Sequence, residues 1–376
     1  MNRAIAFLDK SAFLNNWQII KNINPNNKIV LVVKANAYGH GYAVLLELIK
    51  DLDIHALAVA CIDEAKELRD IGYNKEIYLF DGGAWMLCAD MLVQYNLIPM
   101  IGNLSEVSYL SNYLTKNNYS SNFKVHLKID TGFMRNGIKI SELNSFIEIY
   151  KNSTKLKLEG VCTHFHSADN NKESIEKQKN EFYSAISDLE KSNIKFSYIH
   201  TDNSAAFLQN NNIVLSRYSV ISRIGLLAYG YAPISESINL GLKPIMSIKA
   251  KIIAHKKLQI GDGVGYNHTF IAPRKTDLAV VSIGYADGVK RALSNKGYLL
   301  FNNKKVPIVG RISMDFLTVD ITDAINQDEL VIGKMVTILG EEGDLKVDAN
   351  DMAFWSDTIS HEILTSFSQR IYRLIK

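Results

Sequence analysis

The sequence IVLVVKANAYGHG, residues 29–41, is the stretch around which the rest of the chain is organised. Its first five residues are apolar, and a lysine, small residues, a tyrosine and two glycines follow them. An apolar run of this length with turn residues behind it predicts a buried parallel strand over Ile29–Val33. Lys34 then lies at the carboxyl end of that strand. Because a buried amine is costly unless it is paired, neutral or used covalently, Lys34 is either a Schiff-base lysine or an ordinary solvated strand-end lysine.

The composition is typical of a soluble globular protein, and the length is long for one domain and comfortable for two. The chain has 376 residues, of which 47% are hydrophobic and 22% charged, and its net charge of +3 argues against a nucleic-acid or membrane-surface partner. The three cysteines, Cys61, Cys88 and Cys162, form no CxxC pair, which favours a reducing compartment. The amino-terminal residues acquire charge too early for a signal peptide, and no uncharged run reaches membrane-spanning length. We therefore expect a soluble, cytoplasmic protein.

Short apolar runs alternate with amphipathic stretches eight times in roughly 200 residues after residue 28. This alternation predicts right-handed βαβ units, and eight of them in this length favour a closed (β/α)8 barrel over an open sheet. No GxGxxG follows the first strand, which argues against a dinucleotide-binding fold. The first helix after Lys34 is predicted over Tyr42–Asp51, and the apolar run Arg223–Tyr229 is predicted as the eighth strand.

The pattern changes after Tyr231, where short strand-like runs are separated by glycine-containing turns. Many short strands of this kind predict an all-β domain, and a last helix near Thr358–Phe367 is predicted to end the chain. The predicted fold class is therefore α/β plus all-β. An N-terminal (β/α)8 TIM-type barrel is expected over residues 1–235, and a C-terminal β-strand domain over residues 236–376.

Polar residues cluster at the predicted carboxyl ends of the barrel strands, where such barrels carry their chemistry. They are Lys34, Lys128, Asp130, Arg135, His164, His166, His200, Asn203, Ser204, Arg223 and Gly225. Ser204 suits a phosphate or serves only as a helix cap, and Gly225 lets backbone N–H groups approach the same anion. An amine that can form an aldimine beside a phosphate site points to pyridoxal phosphate. A HisXHis zinc site is disfavoured because no third ligand follows at a suitable spacing, so no metal is expected.

The segment around Lys34 resembles the cofactor-lysine motif of alanine racemases, which are fold type III pyridoxal phosphate enzymes. Further segments are similar to family motifs in the same order along essentially the whole chain. These are KIDTG at 128–132 leading to Arg135, CTHF at 162–165, NSAA at 203–206, RIG at 223–225, GY at 265–266, SIGYADG at 282–288 and VGRISMD at 309–315. Each motif is modest alone, whereas the ordered set is specific.

The resemblance implies a role for each matching residue. Lys34 holds pyridoxal phosphate and acts as one catalytic base, and Tyr266 of the other subunit of a homodimer acts as the second. Arg223, oriented by His164, contacts the pyridine nitrogen, where a decarboxylase or aminotransferase would be expected to have a carboxylate. Arg135 binds the phenolic oxygen and the substrate carboxylate, while Lys128 matches a position that is often carbamylated. The residues implied to hold the phosphate or otherwise line the cofactor site are Tyr38, Asn203, Ser204, Gly225, Leu226 and His361. Met314 and Tyr285 of the partner subunit are implied to meet the substrate carboxylate.

The resemblance thus implies the interconversion of L-alanine and D-alanine, which supplies D-alanine for peptidoglycan. The clearest departure from the family is His361, where a tyrosine is usual. A smaller side chain there could relax selectivity for substrate size or change the affinity for the cofactor. The alternative of a broader-specificity amino acid racemase, acting on serine or basic amino acids, therefore stays open. A fold type III decarboxylase is disfavoured by Arg223, and a non-catalytic cofactor carrier by the β domain with Tyr266.

Overall fold

The computed structural model describes residues 3–119, 122–169, 171–209, 215–233, 240–327 and 329–376. Within these ranges the chain forms two large sheets and one short two-stranded ribbon. One sheet is the predicted barrel, and the other is the predicted strand-rich domain. No helix in the described part of the chain combines the length and the apolar character needed to cross a membrane.

Eight parallel strands of the described chain close into a barrel, because Leu97–Ile101 pairs with both Ile77–Leu79 and Phe123–Asp130. The eight strands are Lys28–Val32, Ala56–Val59, Ile77–Leu79, Leu97–Ile101, Phe123–Asp130, Leu156–Cys162, Tyr198–Asp202 and Ser219–Ile224. The helices of this half are Lys10–Ile23, Tyr42–Ile49, Ile62–Asp70, Ala89–Gln94, Leu104–Lys116, Leu143–Lys151, Lys172–Lys191 and Ser204–Leu208. The predicted (β/α)8 barrel is confirmed.

Several barrel strands form because their residues are apolar on both faces. Every residue of Ala56–Val59 and of Leu97–Ile101 is buried, as expected for parallel strands covered by helices on one side and filled by side chains on the other. Some of these helices begin at polar caps, as where the Asn103 side chain accepts a hydrogen bond from the Glu106 N–H at 2.9 Å. All eight strands point the same way, so their carboxyl ends meet at one mouth.

The second sheet contains strands from both ends of the chain. Its strands are Ala4–Leu8, Met246–Leu258, Thr276–Val281, Tyr298–Phe301, Lys304–Pro307, Leu317–Asp320, Met335–Glu342, Leu345–Val347 and Tyr372–Ile375. The first of these lies between Met246–Leu258, to which it is antiparallel, and Tyr372–Ile375, to which it is parallel. Residues 4–8 therefore belong to the strand-rich sheet and not to the barrel. The helices Ala349–Ser356 and Ser360–Ser366 precede the last strand.

Two sequence predictions about element positions are wrong. The eighth barrel strand is Ser219–Ile224, and Gly225–Gly230 forms turns in which Ala228 N–H donates to Gly225 O at 2.9 Å. Those residues are apolar because they are buried beneath the barrel mouth, and burial alone does not distinguish a strand from a turn. The helix predicted near Thr358–Phe367 does not end the chain, because Tyr372–Ile375 follows it as a strand. The predicted domain boundary between residues 235 and 236 lies outside the described residues.

Candidate active site

Lys34 lies where the first barrel strand gives way to a left-handed turn. The strand ends at Val32, the Val33 N–H still donates to Ala58 O at 2.8 Å, and Ala35 to Tyr38 then have φ values between 52° and 56°. Such a conformation costs an L-residue roughly 1–2 kcal/mol, so a run of these residues must be held by its surroundings. The turn points the Lys34 side chain into the barrel mouth, where it lines the central cavity.

Three side chains from different parts of the chain hold this turn. The Glu64 carboxylate accepts from the Ala35 N–H at 2.6 Å and from the Ala60 N–H at 2.8 Å. His40 is fully buried, and its Nδ1–H donates to the carbonyl oxygens of residues 37 and 38, both at 2.9 Å. Arg373, in the last strand of the chain, donates from Nε to Gly39 O at 2.9 Å. The strand-rich half of the chain therefore supports the turn that carries Lys34.

The surroundings of Lys34 favour its neutral amine. Burial lowers the pKa of Lys34, the positive charge of Arg135 lowers it further, and Glu64 opposes both effects. A neutral amine can act as a nucleophile or accept a proton, whereas an ammonium group can do neither. The lowered pKa of Lys34 therefore suits an amine with a chemical role.

A small polar recess lies beside the Lys34 strand end, because the strand before Gly225 pairs with Lys28–Val32. Ser204 begins a short helix whose cap is Asn203, which accepts from the Ala205 and Ala206 N–H groups at 3.1 and 3.0 Å. The Ser204 hydroxyl oxygen accepts from the Gly225 N–H at 3.2 Å. A Cβ atom on Gly225 would lie only 2.4 Å from the Tyr38 hydroxyl oxygen, so the absence of a side chain keeps this recess open. Burial raises the pKa of Tyr38 to about 12, which keeps its hydroxyl protonated and able to donate.

Arg223 is buried at the carboxyl end of the eighth barrel strand, with carbonyl oxygens and histidines as its partners. Nη1 donates to His200 O at 2.7 Å and to His200 Nδ1 at 3.0 Å, and Nη2 donates to Thr163 O at 2.8 Å and lies 3.3 Å from His164 Nδ1. Burial and the nearby Arg223 charge lower the pKa of His164 well below its usual value, so His164 is a neutral partner. Burial also lowers the pKa of Arg223.

Arg135 and Lys128 occupy the opposite wall of the mouth. The Arg135 guanidinium carbon lies 4.2 Å from the centre of the Phe133 ring, and that ring meets His164 edge-on with centroids 5.2 Å apart. Burial lowers the pKa of Lys128, as do the charges of Arg223 and Arg135. Asp130 shapes the intervening loop by accepting from the Gly132 and Met134 N–H groups at 2.9 and 3.1 Å. The wall therefore carries several cationic groups close together.

These residues surround one cavity of about 1220 Å³ at the barrel mouth. Every residue that the sequence predicted to bind the cofactor lines it. They are Lys34, Tyr38, Arg135, His164, Asn203, Ser204, Arg223, Gly225, Leu226 and His361, and Lys128 and Asp130 line it as well. His166 is turned away and bonds to Ser167 and Ser174, while His200 is fully buried behind Arg223.

Tyr266, Met314 and Tyr285 lie apart from this cavity, on the surface of the strand-rich domain. Their exposed fractions are 68%, 53% and 43%, and none of the three is among the described residues that line the cavity with Lys34. The Tyr285 N–H donates to Ser313 O at 3.0 Å, and the Ala286 N–H donates to Met314 O at 3.0 Å, so Tyr285 and Met314 lie on adjoining segments. One chain alone does not bring Tyr266 to Lys34.

Family models for alanine racemase match nearly all of the chain, the N-terminal domain over residues 8–233 and the C-terminal domain over residues 245–375. The chain belongs to the alanine racemase family. The alanine racemase of Halothermothrix orenii is 34% identical over 374 residues, covering 99% of this chain and 96% of that relative. That of a Nostoc species is 35% identical over 375 residues, covering 99% and 95%.

Solved alanine racemase structures share the fold over the whole chain. The enzyme of Bacillus anthracis with bound L-Ala-P superposes with a TM-score of 0.89 at 31% identity, covering 100% of this chain and 95% of the other. The enzyme of Bartonella henselae, with covalently bound pyridoxal phosphate, has a TM-score of 0.85 at 28% identity and covers 100% of both chains. The resemblance drawn from the ordered motifs is therefore confirmed.

The structure adds site residues to this alanine racemase family member that the sequence did not single out. Glu64, His40 and Arg373 hold the turn after Lys34, and His126 contacts His200 behind Arg223. Only His40 had a local signal, since it stands between two glycines of the opening motif. The others lie at ordinary positions of helices and strands and become visible only through their contacts.

Proposed function

We propose that this chain is an alanine racemase that interconverts L-alanine and D-alanine with pyridoxal phosphate. The observation that carries the proposal is that Lys34, Arg135 and Arg223 meet in one cavity of a chain that matches the alanine racemase family along its length. The relatives at 31–35% identity that span nearly the whole chain are alanine racemases, which favours alanine over a broader substrate range.

The residues of the cavity fit pyridoxal phosphate. The Lys34 amine, with its lowered pKa, suits a carbon–nitrogen bond to an aldehyde. The recess that Gly225 keeps open beside Tyr38 and Ser204 suits the phosphate, and Leu226 and Asn203 complete that end. Pyridoxal phosphate, when bound, withdraws electrons from the substrate Cα and so makes loss of its proton feasible.

Arg223 supports racemisation over other reactions of this cofactor class. Its role is to present a donor and a fixed positive charge to the ring nitrogen. A guanidinium is never a proton acceptor at neutral pH, and its charge disfavours a second proton nearby. Arg223 would therefore keep the ring nitrogen unprotonated and would moderate the electron withdrawal that the cofactor supplies. His164, neutral and 3.3 Å from Nη2, helps to fix the orientation of the guanidinium.

Two bases act on opposite faces of the substrate Cα. Lys34 removes or returns the proton on one face, and Tyr266 of the partner subunit does so on the other. The large exposed fraction of Tyr266 within one chain, 68%, supports its use by a second chain in a homodimer. Tyr285 and Met314 of the partner subunit close the site over the substrate carboxylate, which Arg135 binds.

Lys128 is carbamylated in this proposal, which turns a buried cation into an anion that orients Arg135. Burial beside two arginines favours the neutral amine that such a modification requires. No described carboxylate lies within ion-pair distance of Lys128.

The domain arrangement and the cellular role complete the proposal. Residues 1–235 bind the cofactor and residues 236–376 serve the partner's site, with residues 4–8 joined to the second unit through its sheet. The enzyme works in the cytoplasm and supplies D-alanine for peptidoglycan.

The test uses purified full-length protein. We expect the protein to show a visible absorption band from the cofactor bound to Lys34 and to convert L-alanine to D-alanine. Borohydride reduction should remove this band, and both the band and its loss should require an intact Lys34. The matched control is Lys179→Ala, which removes a lysine of a barrel helix outside the cavity. A protein that shows no visible band, or that binds the cofactor without converting alanine, would contradict the proposal.

A further inference from the structure

A line of polar side chains runs through the interior of the barrel behind Arg223. His200 Nε2 lies 2.8 Å from His126 Nδ1, and His200 Nδ1 lies 3.0 Å from Arg223 Nη1. Both histidines are fully buried. Beyond His126, its Nε2 faces the Glu159 carboxylate at 3.8 Å. We call Arg223, His200, His126 and Glu159 the histidine relay.

The direction of every hydrogen bond in the histidine relay follows from Arg223. A guanidinium can only donate, so His200 Nδ1 must be the acceptor and the proton of His200 must be on Nε2. That N–H donates to His126 Nδ1, so the proton of His126 must also be on Nε2, where it faces Glu159. Burial lowers the pKa of both histidines, which keeps them neutral and leaves one tautomer for each.

Glu159 is a charged end for the histidine relay. Burial raises its pKa, but the nearby His126 and Lys124 outweigh burial and hold it at about 2, so the group is a carboxylate. Its Oε1 atom lies 3.0 Å from Lys124 Nζ, and Lys124 also pairs with Glu76 at the end of the barrel remote from the cavity. His126 Nε2 and Glu159 Oε2 are both buried without a hydrogen-bond partner among the described residues. A shift of less than 1 Å would join them.

The barrel is built to hold the two imidazoles. A Cβ atom on Gly160 would lie 2.6 Å from both Cε1 and Nδ1 of His126, so the strand Leu156–Cys162 leaves room for this ring. The Tyr78 ring packs against His126 with centroids 4.7 Å apart and against His200 at 6.2 Å. Because the two imidazole rings are packed on several sides, they cannot rotate freely, and each ring nitrogen keeps its hydrogen-bond partner.

Arg223 needs such support because it is a buried cation without a carboxylate in contact. No described carboxylate lies within ion-pair distance of Arg223, and its hydrogen bonds go to carbonyl oxygens and imidazoles. The nearby Asp202 accepts instead from Ser222 at 2.9 Å and from Thr201 at 3.0 Å. A buried charge is tolerated only when aligned dipoles or counter-charges compensate it.

We propose that the histidine relay fixes the orientation of the Arg223 guanidinium, with Glu159 stabilising, from the far end of the barrel, the tautomers of His126 and His200 that Arg223 requires. His126, His200 and Glu159 are then positioning residues, since none of them lines the cavity. The effect on racemisation rests on the role proposed for Arg223, whereas the tautomers themselves do not depend on that role.

The tautomers can be measured by nitrogen NMR of full-length protein labelled with ¹⁵N-histidine. The chain has nine histidines, so single substitutions of His126 and His200 assign the two signals. We expect both to carry their proton on Nε2 and to stay neutral through the range in which exposed histidines titrate. A wild-type His200 with its proton on Nδ1, or a His200 that titrates with the exposed histidines, overturns the proposal without any variant of Glu159.

Two variants of Glu159 test whether this carboxylate acts at the end of the histidine relay remote from Arg223. Glu159→Leu removes the acceptor, so a second tautomer of His126 should appear and kcat should fall about tenfold to hundredfold, with a smaller change in KM, as for a lost hydrogen bond to a charged group. Glu159→Gln keeps an accepting oxygen and should restore the tautomers and most of kcat. Glu76→Gln, the matched control, removes the other carboxylate on Lys124 without touching His126.

The outcomes are distinguishable from a failure of the proposed function. Unchanged tautomers and an unchanged kcat in folded Glu159→Leu would overturn the relay, as would an equal loss in Glu76→Gln. If Glu159→Leu does not fold, the wild-type tautomers and the Glu159→Gln variant decide the question. A protein with the expected tautomers but no alanine racemisation would contradict the function and leave the relay standing.

Discussion

Replacing Gly225 by alanine tests whether the recess beside Tyr38 binds the cofactor phosphate. The new Cβ would lie 2.4 Å from the Tyr38 hydroxyl oxygen and 3.0 Å from Cζ, whereas ordinary contacts begin at 3.4 Å. The tyrosine would therefore have to move by about 1 Å at its hydroxyl end. It cannot move cheaply, because its ring stacks on Tyr229 with centroids 5.0 Å apart, and the Tyr229 hydroxyl donates to Val32 O at 3.1 Å.

Two costs follow from this displacement. Overpacking of a buried site typically destabilises a fold by about 1–3 kcal/mol, which thermal unfolding of the cofactor-free protein would measure. Loss of a hydrogen bond to a charged ligand costs about 1.5–3 kcal/mol, so we expect pyridoxal phosphate to bind about tenfold to hundredfold more weakly. The affinity is measured by titrating the cofactor into cofactor-free protein and following the visible absorption band.

A double-mutant cycle with Tyr38→Phe separates this mechanism from general disruption. Tyr38→Phe removes the oxygen that the new Cβ would strike first, so Gly225→Ala should cost clearly less in the Tyr38→Phe background than in the wild type. Wild-type cofactor affinity in Gly225→Ala would refute the reasoning. An equal penalty in both backgrounds would show that the contact with the Tyr38 hydroxyl is not the cause.

Three further predictions address other parts of the molecule. Mixing inactive Lys34→Ala and Tyr266→Phe proteins should regenerate activity in hybrid dimers, and well-folded hybrids without activity would contradict a site built from two chains. His361→Tyr places a larger ring in the cavity wall beside Tyr38, so it should lower the turnover of serine relative to alanine or change the affinity for the cofactor. If neither quantity changes, His361 has no role in selectivity or cofactor binding. Because its pKa in the folded chain is depressed to about 2, Glu159 contributes stability above the unfolded-state pKa that is lost as pH falls through about 4 towards 2. The difference in unfolding free energy between the wild type and Glu159→Gln should therefore shrink from about 3 kcal/mol near pH 6 as the solution is acidified, and a difference that does not change with pH would contradict the assignment.

Most of the barrel is predictable from the sequence because its signals are local. Most parallel strands contain a short apolar run, and the helices have apolar faces, so elements such as Leu97–Ile101 and Lys172–Lys191 can be recognised from neighbouring residues. The sequence prediction of the eighth strand fails because buried apolar residues need not form a strand. The residues after Arg223 are apolar because they lie under the barrel mouth, and they form turns instead of continuing the strand.

Part of the candidate site can also be predicted from the sequence, and part of it cannot. Residue types at strand ends, together with the ordered motifs, predict the lining of the cavity from Lys34 to His361. They do not predict Glu64 or Arg373, whose contacts with the Lys34 turn join segments far apart in the chain. A glutamate in the first turn of a helix and an arginine in a terminal strand have many possible partners, and only the packed structure selects one.

The sequence by itself determined that an apolar strand ends at a lysine in a barrel of the alanine racemase family, because strand periodicity and motif order are written in neighbouring residues. The tertiary structure decided how that lysine is presented: by a left-handed turn whose conformational cost is met by side chains from a helix and from the last strand. It also decided that Ala4–Leu8 pairs with Met246–Leu258 and Tyr372–Ile375, and that Arg223 bonds to His200, which in turn contacts His126. Those features depend on distances between residues remote in sequence, which no local pattern encodes.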